Sequence, residues 1–184
     1  MAEPNPEELV DLGVKSIEAK DYIQAKKYFE KACDLKYGGG CGALGDLYDD
    51  VEKNLIKAAQ LYTKACELKE GLGCFNLGAL YYNGKGVEKD LIKAAYFYTK
   101  ACDLKDGSGC FNLGELYLEK DSKKAVALFE KSCDLNISRG CGALGMLYEF
   151  GQGVEKNLTK AAYFYSKACK LGFQKTCEIL KELK

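Results

Sequence analysis

The chain has no histidine, one arginine, no net charge and no long apolar run, and each lack removes a class of function. Without histidine it lacks the commonest general base near neutral pH and the commonest metal ligand. Its 27 basic residues are matched by 27 acidic ones, and Arg139 is the only arginine, so no phosphate-tracking surface for nucleic acid is present. No apolar run approaches the roughly 20 residues of a membrane-spanning helix. No stretch reads as a signal peptide, so a secreted chain would here be in its mature form, with Met1 an added initiator. The 47% apolar content suits a folded core and argues against disorder.

What is present is a repeat. Cys33, Cys66, Cys102, Cys133 and Cys169 follow one another at steps of 33, 36, 31 and 36 residues. Each is followed eight residues later by a second cysteine: Cys41, Cys74, Cys110, Cys141 and Cys177. All ten cysteines fall in this pattern. Before each first cysteine stands A-x3-(F/Y)-x2-(A/S), as in Ala58, Tyr62 and Ala65, whose spacing puts the three side chains on one helical face. After four of the second cysteines comes C-x2-L-G-x-L-Y, as in Cys74, Leu77, Gly78, Leu80 and Tyr81. The first pattern predicts a B-type helix and the second an A-type helix. Such a helix pair has one apolar face too many to stand alone, and stacking pairs buries it. The expected fold is all-α, a solenoid of five helix pairs with a C-terminal capping helix, eleven helices in all.

Ten cysteines admit three readings: buried thiols, a zinc site or disulfides. Zinc is disfavoured by the lack of histidine and by a spacing unlike that of zinc fingers. Disulfides are preferred, and they imply an oxidising compartment. In one continuous helix, residues eight apart lie about 12 Å from each other, too far to bond. The intervening segments, such as KYGGG and KEGLG, carry glycines able to end a helix. If the chain turns there, the pairs Cys33–Cys41, Cys66–Cys74, Cys102–Cys110, Cys133–Cys141 and Cys169–Cys177 become feasible. Each would stabilise by about 2.5 kcal/mol in the chain-entropy account.

Along the chain, Asn5 with Pro6, Glu7 and Glu8 opens a first helix that lacks the cysteine. Asp21, Asn54, Asp90, Asp121 and Asn157 are the expected N-caps of the B-type helices. The units run over about 5–36, 37–69, 70–105, 106–136 and 137–171, with a cap at 172–184, and 1–184 is expected to form a single domain. Gly84-x-Gly86 and Gly151-x-Gly153 look like phosphate loops, but they follow helices rather than strands and are read as turns.

With these residues in place, the chain resembles the Sel-one-like repeats, relatives of the tetratricopeptide repeat, over nearly its full length. The paired cysteines are similar to those of the Helicobacter cysteine-rich proteins. The resemblance implies a right-handed αα-superhelix, disulfide-linked pairs and export from a Gram-negative bacterium into the periplasm or beyond. Members of that family are described as penicillin-binding proteins or weak β-lactamases, and as secreted proteins that engage host cells. The shortened loops of the first, second and fourth units depart from the pattern.

A solenoid of this kind binds through its A-type helices. Counting each second cysteine as zero, positions +1, +2, +5 and +9 point away from the core. They give a candidate groove of Phe75, Asn76, Asn83, Phe111, Asn112, Glu115, Met146 and Phe150, a mixture suited to an extended peptide. The expected partner is a protein or extended peptide, with a host protein or cell-wall-like ligand as candidates, and no cofactor. The alternative is a β-lactam-binding protein with weak hydrolase activity. Ser-x-x-Lys is absent and no histidine is available for a metal, which leaves only carboxylates such as Asp46, Glu115 or Glu119 for catalysis. The reading is an interaction scaffold that is secreted or periplasmic.

Overall fold

In the computed structural model, residues 2–183 are described, and they form eleven α-helices with no strand. The helices fall into two compact units divided between Leu104 and Lys105. The first holds three helix pairs: α1 (Pro6–Glu18) with α2 (Tyr22–Asp34), α3 (Gly38–Asp50) with α4 (Leu55–Glu67), and α5 (Gly71–Asn83) with α6 (Leu91–Asp103). The second holds α7 (Gly107–Tyr117) with α8 (Ser122–Asp134), α9 (Ser138–Phe150) with α10 (Leu158–Lys170), and the closing helix α11 (Gln174–Glu182). Odd-numbered helices are A-type and even-numbered ones B-type.

Within each pair the L-G glycine of the A-type helix is a slot for an aromatic ring. A Cβ on Gly45 would lie 2.6 Å from the Tyr62 ring, on Gly78 2.8 Å from Tyr98, on Gly114 2.7 Å from Phe129 and on Gly145 2.7 Å from Tyr165. The aromatic residue of A-x3-(F/Y) therefore packs against the backbone at this glycine, and its ring and the facing alanines are almost wholly buried. A second intra-pair contact escapes the sequence pattern. A lysine in the first turn of each later B-type helix lies over the tyrosine that ends the preceding L-Y: Lys57 over Tyr48 at 5.1 Å, Lys93 over Tyr81 at 5.2 Å, Lys124 over Tyr117 at 3.8 Å and Lys160 over Tyr148 at 5.2 Å.

Helix starts follow local chemistry. Asn5 and Glu8 form a capping box, and Asp21, Asn54, Asp90, Asp121 and Asn157 each accept a backbone N–H of the first turn. Gly84 and Gly151 end α5 and α9 in the left-handed region. Gly86 and Gly153, also left-handed, press on the backbone at Leu55 and Ser122, so these loops are packed turns.

The B-to-A turns differ from expectation. The glycines of KYGGG and KEGLG do not end helices; they begin the next ones. The left-handed residue is Lys36, Lys69, Lys105 or Asn136, and only in the last turn a glycine, Gly172. Lys69 N–H donates to Cys66 and Glu70 N–H to Ala65, the double bond of a Schellman ending. The glycines serve close approach instead. A Cβ on Gly40 would fall 2.5 Å from that of Ala32, and one on Gly73 would fall 2.6 Å from that of Ala65. Gly140 meets Ser132, whose hydroxyl donates to the Gly107 carbonyl at 2.9 Å. No side chain fits there, whereas a lysine can hold a left-handed backbone at a cost of about 1–2 kcal/mol.

Beside each close contact lies a disulfide. Cys33–Cys41, Cys66–Cys74 and Cys133–Cys141 have Cα atoms 4.5 Å apart, and Cys169–Cys177 has them 4.9 Å apart. Cys102 and Cys110 are disulfide-bonded as well, so no thiol is free.

Two predictions follow from these contacts. Reduction should lower the melting temperature steeply, because each bond contributes about 2.5 kcal/mol against a usual total of about 5–15 kcal/mol. Calorimetry with and without reductant tests this, and superimposable melting curves would refute it. Gly73→Ala should destabilise by about 1–3 kcal/mol through overpacking, while Lys69→Gly should be neutral or stabilising by up to about 1 kcal/mol. Urea unfolding of the two variants reads the contrast.

Candidate ligand-binding cavities

Among the described residues, two cavities on A-type helices share one repeat register, one in each compact unit. Relative to the second cysteine of a pair, both are lined from positions −2, +1, +2 and +5. Position −4, Glu70 in the first and Phe173 in the second, lines both as well.

The first cavity, about 200 Å³, lies between α3 and α5 and is lined by Gly39, Gly42, Ala43, Asp46, Glu70, Leu72, Gly73 and Asn76. Its centre is Asp46. Tyr62 Oη donates to Asp46 Oδ1 at 2.7 Å, and Asn76 Nδ2 donates to the same oxygen at 3.3 Å. Burial raises the Asp46 carboxyl above its usual value; the Tyr62 hydrogen bond opposes this and the charges of Asp50 and Asp49 add to it. The Tyr62 phenol is itself pushed up, first by burial and then by its hydrogen bond to Asp46.

The second cavity, about 270 Å³, lies between α7, α9 and α11 with Tyr165 of α10 behind it. Phe111, Met146, Phe173 and Ile179 give it an apolar lining, and Glu115, Arg139, Lys175 and Thr176 give it a polar rim. The Arg139 guanidinium lies over the Phe111 ring, 4.4 Å from its centroid. Tyr165 Oη donates to Glu149 Oε2 at 2.6 Å; burial first, and this bond second, push its phenol up.

The groove residues expected from sequence are placed unevenly. Asn76 lines the first cavity, but its amide is held by Asp46. Phe111, Glu115 and Met146 line the second, although Phe111 is 5% exposed and forms a wall against Phe129, where an outward-pointing ring was expected. Phe75 is half-buried against Tyr98, with ring centroids 5.9 Å apart. Asn83 turns back to its own helix and donates to the Ala79 carbonyl at 2.9 Å. Asn112 is half-buried, and Phe150 is 71% exposed; neither is among the residues that line these two cavities. Position +9 thus contributes to neither site, because it lies beyond the stretch of helix that faces the neighbouring repeat. Position −2, which supplies Leu72, Arg139 and Lys175, was missed. The signal was present: Arg139 is the sole arginine, and it sits two residues before a paired cysteine.

Among the described residues, no group of three or more His, Cys, Asp or Glu side chains is placed to hold a metal ion, and no helix is long and apolar enough to cross a membrane.

The Sel1 repeat matches residues 12–37, 40–70, 71–106, 107–137 and 138–173, and the chain belongs to this family. Within it, the chain is rich in cysteine and is similar over short stretches to proteins of Helicobacter pylori. It is 62% identical over 58 residues to HcpC of that organism, covering 30% of this chain and 20% of HcpC. It is 54% identical over 50 residues to "Beta-lactamase HcpA", covering 27% of this chain and 20% of HcpA. The matched stretches thus span about a fifth of those relatives. Among solved structures, a Sel1 repeat protein from Oxalobacter formigenes superposes with a TM-score of 0.85 at 28% identity, covering 94% of this chain and 74% of that one. The protective antigen c5321 of uropathogenic Escherichia coli gives 0.82 at 26% identity, covering 96% and 40%.

The raised carboxyl at Asp46 has a definite sign. The fold favours its protonated form, so this contribution to stability is complete below the unfolded value of 3.8 and is lost as pH rises through the folded value. Asp46→Asn keeps the acceptor for Tyr62 and removes the charge. Its melting temperature relative to wild type should therefore rise between pH 3.8 and neutrality, measured by thermal unfolding across that range.

Proposed function

We propose that the protein is an interaction scaffold that binds protein or extended peptide on its A-type helices. Five disulfides place it in an oxidising compartment, and we take that compartment to be the periplasm or the extracellular space, where host proteins and cell-wall-like ligands are the available partners. The observation that carries the reading is the pair of cavities at one repeat register. Each unit leaves concave space, polar groups and apolar side chains on the same helices, where a solenoid has nothing left to stack. Phe75 and Asn76 in the first unit, and Asn112, Glu115 and Met146 in the second, supply the peptide contacts, with Asn83 and Phe150 at the outer ends of their helices.

The test is a peptide selected by display on the oxidised protein and titrated calorimetrically into wild type and into Asn76→Ala/Asn112→Ala. Each substitution should weaken binding by about 1–3 kcal/mol; Asn112→Ala should leave the melting temperature unchanged, while Asn76→Ala, which also loses its hydrogen bond to Asp46, should lower it slightly. Equal affinities in wild type and variant would place the site elsewhere.

The name of HcpA favours a second reading, a β-lactam-binding protein with weak hydrolase activity. With neither Ser-x-x-Lys nor histidine in the chain, turnover of a chromogenic β-lactam should stay at the buffer rate. Turnover that follows the protein through purification would establish the enzyme.

A further inference from the structure

Arg139 and Lys175 stand two residues before Cys141 and Cys177, so they occupy one register on consecutive A-type helices, α9 and α11. The same register elsewhere holds Gly39, Leu72 and Ser108. Only these two repeats carry a cation there, and both cations line the second cavity. One of them is the only arginine among 27 basic residues.

Neither Arg139 nor Lys175 is ion-paired with a described residue. The guanidinium is nevertheless held in place, resting on the Phe111 ring at the cavity wall. Guanidinium matches the two oxygens of a carboxylate as a planar fork, and the ring contact orders it in advance. Glu115 is the only acid that lines the cavity, which leaves its rim with one positive charge in excess. Below that rim the lining is apolar, and its volume of about 270 Å³ exceeds the roughly 150 Å³ that is enough to hold benzene.

We propose that this cavity binds a small organic acid, with the carboxylate between Arg139 and Lys175 and an aromatic or branched apolar body against Phe111, Met146 and Phe173. The excess of one charge suits a single carboxylate, and Glu115 opposes a second. The first cavity provides an internal contrast. At the same register it presents Asp46 and Glu70 and no cation, so it repels the ligand that the second attracts. The inference shares Glu115 and Met146 with the peptide reading, but it stands on Arg139 and Lys175, which that reading does not use.

The experiment is a titration of the full, oxidised chain with N-acetyl-L-phenylalanine and with 3-phenylpropionate, followed by calorimetry and by chemical shifts of labelled protein. At least one acid should bind, with shifts confined to α7, α9 and α11. The corresponding amide should bind at least tenfold more weakly. Arg139→Gln should weaken the acid about tenfold or more, Lys175→Gln severalfold, and Glu115→Gln should tighten it; unchanged melting temperatures would show that the variants stay folded. Because Arg139→Gln also removes the contact with Phe111, Lys175→Gln and Glu115→Gln keep the test decisive if that variant unfolds. Absence of binding by both acids, equal binding of acid and amide, or indifference to Lys175→Gln and Glu115→Gln would overturn the proposal. A peptide ending in phenylalanine that binds through its free carboxylate, while both small acids fail, would overturn it too and show the occupant to be a chain end. The peptide reading would survive that failure, since its test rests on Asn76 and Asn112.

Discussion

The structure depends on one contact: the crossing where a B-type helix ends against the first turn of the next A-type helix. At the crossings into α3, α5 and α9 the alanine or serine of A/S-C meets the glycine before the second cysteine, and no Cβ can be added to that glycine without striking its neighbour; at the crossing into α11, Thr176 stands in the glycine's place. This closeness brings the two flanking Cα atoms to 4.5 Å, within the range a disulfide needs. The bond and the glycine are therefore one device. The glycine lets the backbones meet, and the disulfide keeps the unfolded chain from separating them far. A buried serine at one such crossing, Ser132, changes the detail and not the principle, because its hydroxyl finds the Gly107 carbonyl.

That crossing also sets where ligands can go. Cavity residues stand on both sides of the second cysteine, at −4, −2 and −1 and again at +1, +2 and +5, so both cavities run from the crossing onto the helix beyond it. The two cavities share this frame and differ only in what the frame carries. Asp46, Glu70 and Asn76 make one acidic, while Arg139 and Lys175 with an apolar lining make the other cationic and greasy. A repeat fold thus varies its chemistry by changing a few side chains at one register while the packing positions, Gly against ring and alanine against glycine, stay as they are. Because the cavities rest on stapled helices, a ligand would lose little affinity to ordering of the site.

Much of this was legible in the chain before any coordinates. The repeat, the eleven helices, the N-caps at Asp21, Asn54, Asp90, Asp121 and Asn157, and the turn character of Gly84-x-Gly86 all follow from chemistry within a few residues of each position. Spacing of the cysteines was also a local fact. The role of the glycines in KYGGG was misjudged for a physical reason. Glycine serves both as a left-handed cap and as a site of close approach, and only the neighbouring helix shows which is needed. At Lys36 and Lys69 lysine took the first task and left the second to glycine.

The candidate site was less legible for the same reason. Periodicity told which face of each A-type helix turns from the core, and it found Asn76, Glu115 and Met146 on that face. It could not tell that Phe111 would close inward under Arg139, that Asn76 would be held by Asp46, or that Lys175 would reach the cavity holding Arg139. Each of these joins residues about 30 or more positions apart on separate helices. The sequence by itself determined the helices, the N-caps of the B-type ones and the pairing of the cysteines, because those depend on hydrogen bonds and spacings among near neighbours in the chain. Tertiary structure alone decided which side chains share a cavity and which charges remain unpaired, because that depends on how closely neighbouring helices approach.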